Sequence, residues 1–491
     1  MHNSLRSTRS PLASLFIVGL AAGCGGAAEP EDLGATAEPV SVCGDSVSQL
    51  KDIKPGSLGS FPGFVGELGG MLYFGADDGI TGSELWKTDG TSAGTVFVKD
   101  INPGAVGSNM GAGVLLNGKL YFNASNGLNA ELWSSDGTAA GTVLVKDIYP
   151  GSGGSIPRYL TLVGSTIFFV ANDGVHGEEL WKTDGTTAGT VLVKDINPAV
   201  DKKYGPANSA ITNMTAVGNL LMFTATDGAN DVELWKSDGT AAGTVRVKDI
   251  YPGPTSSSPG QLTAVRDMLL FTASDGVNGV ELWRSDGTTA GTVMVTEIRP
   301  GSSGAGIYGT TNVGGQLFFY ADDGVHGSEL WKSDGTAAGT ALVSDLTPGA
   351  GGSQFDGAQK SANGSFFFSV QRGGEVNHAL WRSDGTAAGT VFVADPAGSS
   401  AVTCAWFCGA QYSFIGTVAG SLYFSTTDTV SGVEFYRTDG TTAGTVRVAD
   451  IYPGAPSSSP GGKVVNDRLY LVANDGATGA ELWQDTPATC P

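Results

Sequence analysis

Two acidic positions recur through this chain and are the first residues that could do chemistry. Glu84, Glu131, Glu179, Glu233, Glu281, Glu329, Glu434 and Glu481 share one slot. Asp52, Asp100, Asp147, Asp195, Asp249, Glu297, Asp345, Asp395 and Asp450 share the other. Paired carboxylates can serve general acid–base catalysis. An enzyme needs such a pair once, however, and repetition in nearly every unit argues for a structural task. That task is bonding a backbone N–H in a hairpin or pairing with a neighbour. The lysine beside the second slot (Lys99, Lys146, Lys194, Lys248) gives way to Thr296, Ser344, Ala394 and Ala449, so ion pairing is not the general reason.

Other chemistry is thinly represented. Asp77-Asp78-Gly79 and Asp322-Asp323-Gly324 cluster the oxygens that Ca²⁺ prefers. They lack the alternating acids of an EF-hand loop and read first as hairpin turns, with calcium as the alternative occupant. His176, His326 and His378 have no cysteine or second histidine at ligand spacing, which argues against zinc. There is no Gly-x-Ser-x-Gly elbow and no phosphate-cradling Gly-Lys loop. No cofactor is required by any motif.

The elements that position these residues come from a repeat. Trp86, Trp133, Trp181, Trp235, Trp283, Trp331, Trp381 and Trp483 recur at intervals of about 50 residues, with Tyr436 in the same slot. Within one unit, Tyr159–Val163, Thr166–Ala171, Glu179–Thr183 and Thr190–Ile196 are β-rich runs separated by Gly/Asn/Asp clusters. No stretch shows helical periodicity. Four antiparallel strands per unit match a propeller blade, packed by neighbours on both faces. Leu180 and Trp181 then point to opposite sides, both buried.

Ring closure is legible at the two ends of the repeat array. Leu50 to Gly56 repeats the fourth-strand sequence Val145 to Gly151 with no third strand before it, whereas the unit ending at Trp483 lacks a fourth strand. The expected fold is therefore all-β: a closed propeller of about nine four-stranded blades, the last completed by the N-terminal strand. The recurring Glu-Leu-Trp-x-x-Asp-Gly-Thr-x-x-Gly-Thr resembles the bacterial family of secreted proteins and lipoproteins named for the ELWxxDGT repeat. The resemblance spans Leu50–Trp483, with Ala379 replacing Glu and Phe435-Tyr436 replacing Leu-Trp. It implies export and a propeller-like fold, and no established reaction.

The first residues read as an address. Arg6 and Arg9 precede an apolar run from Leu12 to Ala22 that is too short to span a bilayer and ends in Ala21-Ala22-Gly23-Cys24. The expectation is a signal peptide at 1–23, lipidation at Cys24, a disordered tether at 24–42, and one propeller domain at 43–491. Export to the cell envelope, anchored by the lipid to the outer membrane or cell surface, permits disulfides among Cys43, Cys404, Cys408 and Cys490. Four cysteines allow three pairings. Cys404 and Cys408 are close enough for a local loop, and Cys43–Cys490 would staple the ring at its gap.

The net charge is −21 at pH 7 and becomes more negative when the signal leaves with its arginines. Such a surface repels nucleic acid. Two insertions mark individual units: Pro198–Ala210 with Asp201, Lys202, Lys203 and Tyr204, and Pro396–Tyr412 with Trp406 and Phe407. Both follow a fourth strand and so share one face, where unique decoration on a repeated scaffold suits binding. The expected function is a tethered envelope protein that binds a protein or glycan through that face. A glycan-acting propeller enzyme and a calcium-stabilised adhesin are the rival classes.

Overall fold

The computed structural model describes residues 46–486 apart from 152, 202–204, 229–230, 399–411, 429–430 and 455. Cys24, Cys43, Cys404, Cys408, Cys490, Lys202, Lys203, Tyr204, Trp406 and Phe407 lie outside the described residues. The signal peptide, the tether and the disulfide pairings lie outside them as well.

The third blade shows how each unit is built. Its strands are Arg158–Val163, Thr166–Asn172, Glu178–Thr183 and Val191–Lys194, paired in that order and antiparallel throughout. The outer strand is shorter than the sequence suggests because its flanks are used elsewhere. Thr190 closes the preceding turn, and the Ile196 amide is drawn into the Glu179 carboxylate. In the pairing of third and outer strands, Trp181 faces Leu192 and Leu180 faces Lys194, so Val193 forms a bulge.

Nine such four-stranded sheets make a nine-bladed β-propeller, with no helix among the described residues. The ninth blade joins distant parts of the sequence. Gly461–Val465, Arg468–Asn474 and Ala480–Thr486 supply three strands, and Ser46–Lys51 supplies the outer one. Trp483 faces Gln49 and Leu482 faces Lys51, which leaves Leu50 in the bulge. The closing blade thus repeats the register of the third although its strands are not contiguous.

The core lies between blades rather than inside one. Leu180 packs with Phe223 and Trp235 of the fourth blade, while Trp181 packs with Leu132 and Tyr121 of the second. Alternation along a strand explains this: adjacent side chains leave by opposite faces of the sheet, and both faces are covered. A corresponding cluster joins Leu50, Ile53, Tyr470 and Leu482 of the ninth blade to Leu72, Phe74 and Trp86 of the first, so the ring closes. Trp86, Trp133, Trp181, Trp235, Trp283 and Trp381 are buried, as expected. Trp331 and Trp483 are only half-buried. Phe435 and Tyr436 are buried in their blade, where the Tyr436 hydroxyl donates to Asp428.

Candidate functional site

The recurring glutamate is a clip. Glu131 is buried and accepts hydrogen bonds from the amides of Ile148 (3.0 Å), Tyr149 (3.4 Å) and Ser155 (3.0 Å) and from the Ser155 hydroxyl (2.5 Å). The amides belong to the connector that leaves the outer strand for the next blade. The expectation of a backbone-bonding role therefore holds, with the partner in this connector rather than in a hairpin. Glu481 does the same across the closure, accepting from Ile53, Lys54 and both the amide and hydroxyl of Ser60.

The serine went unnoticed in the sequence. It stands at Ser60, Ser108, Ser155, Ser209, Ser257, Ser353 and Ser458, and is replaced by Ala305 opposite Glu281. Burial pushes Glu179 and Glu281 up to about 7 and Glu84 up to about 6, against the hydrogen bonds that pull them down. Where Ala379 replaces the glutamate, Asp395 secures its own connector by accepting the Ala397 and Gly398 amides, and burial raises it to about 6. The second acidic slot has no common partner. Asp100, Asp195, Asp249, Asp345 and Asp450 stand near the clip glutamates and help raise them.

The rest of the repeat motif is also structural. Asp184 accepts the Thr186 amide and hydroxyl, each at 2.8 Å, and the Thr186 hydroxyl accepts the Gly189 amide at 2.9 Å. A Cβ on Gly189 would meet Asp184 Oδ1 at 2.1 Å, so only glycine fits there. Lys146 reaches into the following blade, donating to the Thr190 carbonyl at 2.7 Å and lying over the Trp181 ring. The proposed calcium turns use their carboxylates internally. Asp77 accepts the Gly79 amide and pairs with Lys54 at 2.5 Å, while Asp78 accepts the Ile80 and Thr81 amides. Asp322 pairs with Arg299, and Asp323 holds the His326 amide and ring nitrogen. Among the described residues no group of three His, Cys, Asp or Glu side chains is placed to hold a metal ion.

What distinguishes the molecule chemically is the difference between its two faces. In an antiparallel blade, the connectors between blades and the turns between second and third strands share one face. The turns after the inner and third strands share the other. The first insertion lies on the connector face, where Val200–Asp201 pairs with Gly205–Pro206 as a small hairpin. Ser46 and Thr486, opposite one another in the closing blade, lie at the other face.

The tips of the turns between second and third strands carry Ile80, Leu128, Val175, Val277, Val325 and Val376, which are 54–77% exposed. Leu58, Phe61, Val106 and Ile156 project from connectors beside them. On the opposite face the most exposed large apolar side chain among the described residues is Leu115, at 47%.

Charge is divided too. Lys54, Arg299 and Arg372 are the only lysines and arginines among the described connector and tip-turn residues. Each is paired with an acid of the same face, namely Asp77, Asp322 and Glu375. Asp52, Asp78, Asp147, Asp275 and Asp475 add to the negative balance there. On the opposite face the turn aspartates have cations near them: Lys182 beside Asp184 and Asp238, Lys236 beside Asp286, and Arg382 beside Asp384. The net negative charge thus falls mainly on the connector face.

No family model matches the chain, and no curated protein matches it. Solved structures similar to it include one of two prolyl endopeptidases (TM-score 0.41, 11% identity, 74% of this chain and 54% of that one). Another is a puromycin hydrolase (TM-score 0.41, 13% identity, 89% of this chain and 61% of that one). A third is the β-propeller domain of the trilobed protease from Pyrococcus furiosus (TM-score 0.36, 10% identity, 70% of this chain and 98% of that one). The chain spans less than two thirds of the first two, and likenesses this distant do not bear on what it binds.

Proposed function

We propose that this chain is a lipid-tethered envelope protein of the ELWxxDGT-repeat type that binds a protein or glycan through its connector face. The observation that carries this reading is the opposition of the two faces. The connectors, the first insertion and the exposed tips share one face, whereas Ser46, the first described residue after the tether, lies at the other. The described chain thus enters the closing blade at the end opposite the connectors, which leaves the connector face clear of that entry point. The described ends of the second insertion, Pro396–Gly398 and Tyr412, follow an outer strand and open the next inner strand, and residues 399–411 lie outside the described residues. The repeated carboxylates are occupied by backbone amides in blade after blade, which leaves them no catalytic division of labour.

The test places a photo-crosslinking residue at Val325 on the connector face or at Thr336 on the opposite face, in cells producing the full chain. A discrete adduct from position 325 and none from 336 is expected. Equal labelling from both positions would refute a connector-face binding site. In parallel, Cys24→Ser should move the protein out of the membrane fraction, and wild-type protein recovered free with an unmodified Cys24 would refute the tether.

A further inference from the structure

We infer that the connector face docks a cationic protein surface bearing apolar side chains, through the crown of exposed aliphatic tips set in an acidic field. The inference rests on the reading of this face as the binding face and names the chemistry of its partner. The tips contribute nothing to the core, since they project from the turns and are 54–77% exposed. Turn geometry does not ask for a large aliphatic residue at the tip: Ala477 holds the position of Val325 in the ninth blade. One such residue is unremarkable on a protein surface, but a recurrent set on one face is the pattern of an interaction surface. The propeller converts a once-per-blade feature into a ring, so the partner meets a broad surface rather than a cleft.

Charge selects among occupants. A second copy presenting the same face would bring two acidic surfaces together, and anionic lipid headgroups would be repelled likewise. The tips themselves offer a sugar no flat ring to stack on, and among the described connector residues Phe61 alone is a well-exposed aromatic. A basic protein surface satisfies both features, with lysines or arginines meeting the unpaired aspartates and apolar side chains settling among the tips. Complementary charge then speeds and orients docking while apolar burial sustains it. Because Lys54, Arg299 and Arg372, the cations among the described connector and tip-turn residues, are already paired, approach of a basic partner displaces none of them.

The probe is a synthetic amphipathic peptide alternating Lys and Leu, labelled for fluorescence anisotropy, with a Glu-Leu peptide and oligolysine as controls. The variant combines Ile80→Ser, Val175→Ser, Val277→Ser and Val325→Ser, and an unchanged melting curve verifies its fold. The Lys-Leu peptide is expected to bind wild type and to lose at least about tenfold in affinity with the variant. Its binding should also weaken as salt screens the acidic face, and the Glu-Leu peptide should not bind. Equal affinity for wild type and variant overturns the inference, as does equal binding of the Glu-Leu peptide or no binding of the Lys-Leu peptide. Co-sedimentation with phosphatidylglycerol vesicles, or a dimer in sedimentation velocity that the variant abolishes, assigns the crown to a membrane or a second copy and overturns it too. If the Lys-Leu peptide fails while position 325 still yields its adduct in cells, the partner chemistry falls and the binding face stands. If position 325 yields no adduct, the reading beneath it falls.

Discussion

Ala305 is the one described connector position opposite a clip glutamate where the recurring serine is missing, and it makes the clip testable. Glu281 is fully buried and accepts the Ile298 amide at 2.9 Å and the Arg299 amide at 3.1 Å. Burial raises it to about 7. In the fourth blade the corresponding Glu233 also receives the Ser257 hydroxyl at 2.6 Å. A hydrogen bond to a charged group contributes about 1.5–3 kcal/mol and one to a neutral group about 0.5–1.5 kcal/mol. Ala305→Ser should therefore stabilise the protein by about 1–2 kcal/mol at pH 8, where Glu281 is ionised in the fold, and by less at pH 5, where it is protonated.

The sign follows from linkage. A carboxyl whose folded pKa is raised binds its proton more tightly in the fold, so its stabilising contribution is complete below about 4.5 and is lost as pH rises through about 7. A new donor favours the anion, lowers that pKa and flattens the loss. Ser209→Ala, beside Glu179 that burial also raises to about 7, should do the reverse, costing about 2 kcal/mol at pH 8 and less at pH 5. Urea unfolding followed by tryptophan fluorescence at both pH values measures each. Equal effects at the two pH values would show that the hydroxyl only fills space, and a loss from Ala305→Ser at pH 8 would refute the clip.

Trp283→Ala empties a site between the fourth and fifth blades and should cost about 3–5 kcal/mol by urea unfolding; a cost below about 1 kcal/mol would contradict its place in the core. Gly189→Ala pushes a methyl into Asp184 and should destabilise by about 1–3 kcal/mol, whereas the same change at exposed, open Gly351 should be nearly neutral. EDTA should leave the melting temperature unchanged because the turn carboxylates already serve amides and cations, and a drop restored by Ca²⁺ would favour the calcium reading instead. Ser46 pairs with Thr486, so a disulfide between Cys43 and Cys490 is expected just beyond that pair and should add up to about 5 kcal/mol. Peptide mapping that joins Cys43 to Cys404 or Cys408 would overturn it.

How much of this could be read in the sequence depended on the range of the signal. Leu180 and Trp181 are adjacent, and simple alternation told where each goes. The closure was legible because the fourth-strand sequence appears intact at Leu50–Gly56. The clip serine was not legible because it acts on a glutamate across a connector of varying length. Ser155 lies 24 positions from Glu131, but Ser209 lies 30 positions from Glu179, where an insertion intervenes. A position-by-position comparison of the connectors would have exposed it. The apolar crown was hidden for another reason. Each valine alone is an ordinary exposed residue, and only the topology gathers them on one face. Conversely, the paired aspartates at 77 and 78 drew attention as oxygen donors, and their turn amides became visible only in the fold.

The lysines show how the ring compensates for its lack of covalent continuity. Lys51 of the closing blade donates to the Thr95 carbonyl of the first and lies over Trp86, and Lys146, Lys194 and Lys248 act alike on the blades that follow theirs. Thr296, Ser344, Ala394 and Ala449 cannot reach so far. The consequence is visible in the tryptophans they precede: Trp331 and Trp483 are less covered, while Trp381 is capped instead by Arg372 at 4.8 Å. An exposed cation over an aromatic ring contributes only about 0.5–1 kcal/mol, so one half of the ring can do without it. The half that keeps it contains the seam between Ser46–Lys51 and Ala480–Thr486, where sheet hydrogen bonds replace a peptide link. There Glu481 draws in the connector that follows Lys51, and Lys51 reaches the first blade. The seam is thus held by the same bonds that join contiguous blades, which is why strands from distant parts of the sequence can complete a blade in the common register.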